Sequence, residues 1–170
     1  MITLEQLNTG DQRAFVNAVG DVFEHAPWVA QCAYAARPFA SVAALHDAMM
    51  QAVREASREQ QLAFLRGHPE LAGKVARAGA MTADSKSEQG GLGLDRLGEK
   101  DFARFERANA AYAKKFGFPF IVCVRLHTSA ESILSAFEQR VENDPEAEFA
   151  AALTEIGHIT RLRLDDRIRS

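Results

Sequence analysis

The sequence has few cysteines, and it lacks the motifs from which metal and phosphate sites are usually built. Among its 170 residues are only two cysteines, Cys32 and Cys123, which lie far apart and outside any C-x-x-C motif. Its five histidines form no H-x-x-x-H or H-E-x-x-H pair, and no phosphate-binding glycine loop is present. These absences exclude the familiar zinc and nucleotide motifs, so we predict no metal and no cofactor. We expect both thiols to be reduced and buried.

Long hydrophobic runs and a basic stripe are also missing. The longest apolar stretch, 116-FGFPFIVCVRL-126, contains Pro119 and Arg125 and is too short to span a bilayer. The opening MITLEQLNTGDQ lacks the basic and apolar regions of a signal peptide. The net charge of −3 is made of interspersed signs. We therefore expect a cytoplasmic protein that binds neither nucleic acid nor membrane, and whose partner is a small molecule or a second copy of itself.

What is present is a pattern of helices in a chain that is 47% hydrophobic and 25% charged. Residues that commonly begin helices recur along the chain: Thr3, Thr9, Ser41, Gly98, Thr128 and Asp144. Helices are expected at 12–25, at 42–67 with a possible break, at 99–117, at 129–143 and from Pro145 towards Ile168. The sequence thus predicts a single all-α domain over residues 1–170, with about eight to ten helices.

The last predicted helix carries several arginines beside its apolar stripe. The stripe consists of Phe149, Leu153, Ile156, Thr160 and Leu164. Arg161 lies on one flank of the stripe and Arg163 on the other, where an arginine is more often a surface residue with a partly covered stem. Helix geometry alone does not distinguish a functional arginine here.

The exception to the helical pattern is 118-FPFIVCV-124. Its β-branched and aromatic residues suit a buried strand, but no second strand is evident to pair with it. We therefore expect an extended segment between helices. Its backbone groups need partners, which a bound ligand could supply, or side chains and water in an ordinary core.

The stretch 66-RGHPELAGK-74 contains the first candidate for chemistry. Pro69 disfavours the α conformation at His68 and suits the first position of a following helix. We predict that His68 is the N-cap of that helix, where the helix dipole would keep the imidazole neutral, as a general base requires. The alternative is that His68 only caps the helix or occupies a turn.

The second candidate lies in 82-TADSKSEQGGLGLDRL-97. Ser85 and Glu88 have the spacing of a capping box, in which Glu88 would be structural. Alternatively Ser85, Glu88 and Gln89 could gather at a helix start, where exposed amides suit a polar, partly anionic ligand. The two interpretations do not exclude each other.

Five separated segments resemble, in order, those of the OHCU decarboxylases. They are 23-FEHAPWVA-30, 67-GHPELAGK-74, 85-SKSEQ-89, 116-FGFPFIVCVR-125 and 161-RLRLDDRI-168. That family acts on 2-oxo-4-hydroxy-4-carboxy-5-ureidoimidazoline (OHCU) in urate breakdown. The resemblance implies an all-α fold, a homodimer, no cofactor, and conversion of OHCU to (S)-allantoin and carbon dioxide.

The resemblance also implies a set of site residues. It assigns catalytic roles to His68, Glu88 and Arg161. It assigns substrate contacts to Pro69, to Ser85, Lys86, Ser87, Glu88 and Gln89, and to Phe120, Ile121, Val122, Cys123 and Val124. Only the resemblance selects Arg161 among the arginines of the last helix.

Two other classes of function remain possible from the residues alone. One is a different cofactor-free helical enzyme, such as a hydrolase in which His68 and Glu88 activate water. The other is a helical binding or assembly module in which both residues are only helix caps. The hydrolase would release no carbon dioxide, and the binding module would tolerate replacement of His68.

Overall fold

The computed structural model describes residues 1–72 and 81–169, and the chain divides into two compact units. The terminal unit comprises Met1–Phe64 and Thr160–Ser170, and the central unit comprises Leu65–Ile159. The described residues are mainly helical, which confirms the predicted all-α class. The single domain expected over residues 1–170 stays a prediction.

The terminal unit contains five helices and a short parallel sheet in its described residues. Strands β1 (Ile2–Thr3) and β2 (Ile168–Arg169) pair with Ile2 opposite Ile168, a contact that the sequence did not predict. The helices are α1 (Leu4–Thr9), α2 (Gln12–Val19), α3 (Pro27–Ala33), α4 (Val42–Glu55) and α5 (Arg58–Arg66), with a 3-10 turn at Tyr34–Ala36. The last two residues of α5 belong to the central unit.

The described part of the central unit contains four further helices. They are α6 (Ala83–Gly91), α7 (Glu99–Phe116), α8 (Ala130–Arg140) and α9 (Pro145–Arg167), whose last turns belong to the terminal unit. Two 3-10 turns lie at Leu94–Arg96 and Val124–Leu126. The nine α-helices within residues 1–72 and 81–169 agree with the predicted number.

Several predicted helix starts are confirmed by their hydrogen bonds. Thr3 and Gln6 form a reciprocal capping box at α1. Ser41 accepts a hydrogen bond from the backbone at the start of α4. The carboxylate of Asp144 accepts two backbone hydrogen bonds ahead of α9. Gly117 ends α7 with a φ of 77°, a conformation that glycine adopts without steric cost.

Other predicted boundaries are wrong. Asp11, rather than Thr9, caps α2, and α2 ends at Val19 instead of continuing to residue 25. Thr9 instead donates its hydroxyl proton to the backbone of the preceding turn. Ser129, rather than Thr128, caps α8. In both cases a neighbouring side chain with the same capping chemistry takes the position.

The core of the terminal unit includes an ion pair that the sequence did not predict. Arg163 donates to the carboxylate of Glu24 and to the backbone oxygen of Val22. Its side chain is 2% exposed, so the expectation of a surface position for Arg163 is wrong. An available carboxylate in the core compensates for the burial of the guanidinium.

The core of the central unit is an aromatic cluster around the extended segment. Residues 119–123 have no regular secondary structure, which confirms the predicted interruption of the helical pattern. Phe120 stacks on Phe137 with ring centroids 3.7 Å apart, and Tyr112 meets both rings edge-on. Helices α7 and α8 therefore provide the surface against which the segment packs.

Within the described residues, no helix is long and apolar enough to cross a membrane. The two cysteines differ in environment, because Cys123 is buried whereas Cys32 is exposed. The prediction that both thiols are buried is therefore wrong for Cys32. Neither forms a disulfide.

Candidate active site

His68 lies in a bend after the end of α5, in the central unit. Its backbone N–H donates to Leu65 O at 3.1 Å, which anchors the residue to the last turn of the helix. The side chain is half-buried, and its Nδ1 atom is inaccessible to solvent. The Nδ1 edge of the imidazole is thus enclosed by protein.

The predicted helix does not begin at Pro69. Residues 69 and 70 are irregular and 71 and 72 form a turn, so His68 is not the N-cap of a helix starting there. The predicted capping role is therefore wrong, and the argument that a helix dipole holds the imidazole neutral loses its basis. The remainder of that predicted helix, from Gly73 to Lys74 and beyond, lies outside the described residues. His68 precedes a turn, in which Ala72 adopts a positive φ of 51°.

The turn after His68 is held by the side chain of Gln89. The backbone N–H of Ala72 donates to Gln89 Oε1 at 3.0 Å, and Gln89 Nε2 donates to Glu70 O at 3.3 Å. Gln89 is 3% exposed and also donates to the sulfur of Met81. Its amide is thus engaged by the protein itself.

A second buried amide contacts the same turn from α7. Asn109 is 5% exposed, and its Nδ2 donates to Leu71 O at 2.9 Å. The backbone groups that follow Pro69 therefore find partners on two different helices. Side-chain amides replace here the hydrogen bonds that a regular element would supply.

The start of α6 corrects the interpretation of Glu88. Thr82 is the N-cap, and its hydroxyl oxygen accepts from the backbone N–H of Ser85. Ser85 is therefore the third residue of the helix instead of its cap, and the predicted Ser85–Glu88 capping box is absent. Glu88 lies further along α6, so helix capping does not explain this carboxylate.

The five residues from 85 to 89 divide between the two faces of α6. Ser85 and Gln89 are buried, Glu88 is half-buried, and Lys86 and Ser87 are exposed. Glu88 therefore lies next to Ser85 and Gln89, on the face of α6 that packs against the protein. The exposed side chains contribute to a site only from its rim.

Glu88 acts electrostatically on Cys123 of the extended segment. The pKa of the Cys123 thiol is raised, first by burial and then by the negative charges of Glu155 and Glu88. Helix α6 also packs against the 3-10 turn Val124–Leu126 that follows the segment. Two of the predicted site regions, around residue 88 and around residue 123, are therefore neighbours.

Two backbone groups of the extended segment are bound by charged side chains. Arg140 Nη1 donates to Ile121 O at 2.6 Å, and Cys123 N donates to Glu155 Oε2 at 2.7 Å. Arg140 is itself paired with Glu148, which is completely buried. The sequence analysis left two kinds of partner for the backbone of this segment, a bound ligand or the protein's own side chains. For these two groups the partners are side chains of the protein.

The side chains of the segment face the interior. Phe120, Ile121, Val122, Cys123 and Val124 are all buried. The guanidinium of Arg140 lies over the ring of Phe120, 4.6 Å from its centroid. Side chains so enclosed are not exposed to a ligand at the surface, so a ligand could reach only the main-chain groups of the segment.

Arg161 lies in α9, on the part that belongs to the terminal unit. Its Nε donates to Asp165 Oδ2 at 2.9 Å. The pKa of the guanidinium is raised, mainly by this hydrogen bond, with a further contribution from the charge of Asp47. The side chain is 40% exposed. A guanidinium group can bind anionic or carbonyl oxygens through its planar fork.

Sequence patterns missed the residues that support these candidates. Asn109 lies between the buried Phe105 and Tyr112 on one face of α7, and an amide on such a face is a usable signal because it needs hydrogen-bond partners there. Glu155 and Arg140 gave no comparable signal, because charged residues at helical spacing are usually solvated.

Comparison with known proteins identifies the family of this chain. A family model described as OHCU decarboxylase matches residues 8–165. The chain is 42% identical over 169 residues to a protein of Haloferax volcanii named 2-oxo-4-hydroxy-4-carboxy-5-ureidoimidazoline decarboxylase, covering 99% of this chain and 98% of that one. A protein of the same name from Mus musculus is 34% identical over 161 residues, covering 95% and 90%.

Solved structures share the fold. The crystal structure of an (S)-allantoin synthase superposes with a TM-score of 0.75 and 28% identity, over 98% of this chain and 54% of that chain. An OHCU decarboxylase crystallised in the presence of (S)-allantoin gives a TM-score of 0.67 at 21% identity, over 92% and 97%, and adds support for the fold alone. The chain belongs to the OHCU decarboxylase family.

Proposed function

We propose that this protein decarboxylates OHCU stereospecifically, giving (S)-allantoin and carbon dioxide in urate degradation. The observation that carries the proposal is the 42% identity to a named decarboxylase over nearly the full length of both chains. The positions of the candidate residues are compatible with it. His68 and Glu88 are half-buried polar groups of one unit.

The reaction needs no external electron acceptor. When the carboxylate leaves as carbon dioxide, its bonding electron pair passes to the adjacent carbon–nitrogen double bond of the ring. A proton must then be added to the carbon that carries the ureido group, which is the stereocentre of allantoin. The tasks left to the protein are orientation, charge stabilisation and delivery of that proton to one face.

In this proposal His68 handles the proton. Imidazole exchanges protons near neutral pH, and a half-buried ring with one enclosed nitrogen can be held in one orientation. Pro69, which is half-buried beside it, would contact the substrate and restrict the backbone of His68.

Glu88 would orient the imidazole or accept hydrogen bonds from the ureido group. The finding that Thr82 caps α6 removes one structural explanation of Glu88, its predicted place in a capping box. Ser85, Glu88 and Gln89 would contribute to the substrate site through one face of α6, and Lys86 and Ser87 from its rim. Residues 120–124 would contribute through main-chain groups.

Arg161 would bind the anionic or carbonyl oxygens of the substrate. Its Nε is engaged by Asp165, and in this proposal the terminal nitrogens make a paired contact with the substrate. The assignment depends on the resemblance between 161-RLRLDDRI-168 and the family's segment.

We further propose a homodimer in the cytoplasm. The family resemblance supports the dimer, and the two free thiols are compatible with a reducing compartment. Sedimentation equilibrium on the purified protein distinguishes a mass of two chains from one.

The function is tested with fresh OHCU, generated in situ by urate oxidase and hydroxyisourate hydrolase. Allantoin formation is followed by circular dichroism. Spontaneous decay gives the racemate, so we expect a strong dichroic signal of one sign only when the protein is present. Hydrolysis of a ureide bond without release of carbon dioxide would contradict the proposal, as would a product that stays racemic.

A further inference from the structure

We infer that Gln89 and Asn109 are positioning residues that together hold the His68 loop in its reactive geometry. The inference rests on the proposed function and deepens it. We call the two residues the amide clamp. It assigns Gln89 a role in fixing the backbone beside the proton-handling residue, and it adds Asn109, which no part of the family resemblance marked.

The His68 loop is anchored on both sides of the imidazole. Before it, the N–H of His68 itself is bonded to Leu65 O at the end of α5. After it, the carbonyls of Glu70 and Leu71 and the N–H of Ala72 are bonded by the amide clamp. Only Pro69 lies between, and its ring fixes one of its two backbone angles.

The clamp holds a conformation that the local sequence does not favour. Ala72 has a φ of 51°, in the left-handed region that non-glycine residues seldom adopt. Such a residue persists where its surroundings determine its backbone. Gln89 fixes the backbone at Ala72 by accepting a hydrogen bond from its N–H. Asn109 fixes the backbone one residue earlier by donating to Leu71 O.

Because they are buried, these hydrogen bonds are difficult to replace with hydrogen bonds to water. Leu71 is 4% exposed and Ala72 is fully buried, so water does not readily replace a lost amide. A substitution that removes the amide group would leave a buried backbone group without its partner, and the turn would move to recover one. The displacement would be transmitted through Pro69 to His68.

Gln89 also links the two proposed chemical groups. It follows Glu88 directly in α6, so one turn of that helix carries the Glu88 carboxylate and grips the loop that carries His68. A shift of about 1 Å in reacting groups can cost on the order of 100-fold in rate. A clamp common to both groups would keep their separation constant.

The test compares Asn109→Leu and Gln89→Met with the matched control Gln61→Leu. Gln61 is also a buried amide, and it donates to the backbone carbonyls of Val53 and Arg54 in the terminal unit. Each variant is assayed for kcat, KM and the enantiomeric excess of allantoin from fresh OHCU, and Ala72 amide exchange is measured by NMR.

We expect both clamp variants to lower kcat by roughly 10- to 100-fold with a much smaller change in KM, and to lower the enantiomeric excess. Ala72 exchange should accelerate in Gln89→Met. The Gln61→Leu control should melt earlier yet keep its kcat and enantiomeric excess. Should Asn109→Leu fail to fold, Asn109→Ser removes the same donor while leaving room for water.

Folded clamp variants with unchanged kcat and enantiomeric excess would overturn the inference. If the unaltered protein does not accelerate decarboxylation at all, the proposed function fails instead. In that case Ala72 exchange alone decides on the clamp, because an unchanged exchange rate in Gln89→Met would show that Gln89 does not hold the turn.

Discussion

Arg163 and Glu24 form an ion pair with 3.2 Å between Nη1 and Oε2 and with side chains that are 2% and 1% exposed. Glu24→Gln would remove the negative charge that faces the buried guanidinium. We therefore expect the free energy of unfolding to fall by about 3 to 5 kcal/mol, measured by urea denaturation.

The exposed pair of Arg161 and Asp165 provides the matched control for that loss. Its side chains are 40% and 44% exposed, so Asp165→Asn should cost only about 0.5 kcal/mol or less because water screens the pair. Similar losses in both variants would mean that burial does not determine the strength of these pairs.

Substitutions at Thr82 and Glu88 should have different effects, the first on stability and the second on activity. Thr82→Ala removes the side-chain cap of α6 and should lower stability by about 0.5 to 1 kcal/mol. Glu88 is not the cap of α6, and glutamine keeps the size of its side chain, so the melting temperature of Glu88→Gln should change little while turnover of OHCU falls strongly. Thermal unfolding and steady-state assays of both variants check this, and early melting of Glu88→Gln with full specific activity would reverse the assignment.

The fold was largely predictable because the start of a helix depends on residues close to it in the sequence. The capping box of Thr3 and Gln6, the Asp144–Pro145 start and the glycine after α7 depend on neighbours a few residues away. Errors such as Thr9 for Asp11 arose where two capping residues lay close together.

The site was predictable only in part. The resemblance gave His68 and Glu88, but the local pattern misplaced a helix start at Pro69, because proline also suits turns. The partners of the His68 loop come from 17 and 38 residues away in sequence. Such long-range contacts, like the burial of Arg163, depend on tertiary packing that periodicity does not encode.

The Cys123 thiol reports on the charge of Glu88. In a Cys32→Ser background, the absorbance of the thiolate should rise only above the ordinary pKa, because burial and then the charges of Glu155 and Glu88 raise the pKa of Cys123. Glu88→Gln removes one negative charge and should lower that pKa. An unchanged titration would show that the two groups are not close in solution.

The raised pKa also predicts how stability depends on pH. Above the ordinary value of 9.0 the unfolded chain loses the thiol proton first, so it binds fewer protons than the folded chain. The contribution of Cys123 is therefore complete below about pH 9 and is lost as pH rises through the folded pKa. Urea titrations compare two proteins in the Cys32→Ser background, one that keeps Cys123 and one with Cys123→Ala. The protein that keeps Cys123 should lose more stability between neutral and strongly alkaline pH.

Activity should survive removal of metals. The proposed reaction uses an electron acceptor within the substrate itself, so exhaustive chelation and dialysis should leave kcat unchanged. Loss of turnover that a divalent metal restores would contradict this part of the proposal.

The central claim is that His68 delivers the proton in stereospecific decarboxylation of OHCU. His68 is not a helix cap, so His68→Asn should leave the melting temperature nearly unchanged, and an unreactive substrate analogue should still bind. The decisive measurement is the initial rate of dichroic allantoin formation from fresh OHCU by the unaltered protein and by His68→Asn. We predict a rate lower by about 10²- to 10⁴-fold in the variant, the range typical of a general acid–base group. Near-normal formation of one enantiomer by His68→Asn would contradict the claim.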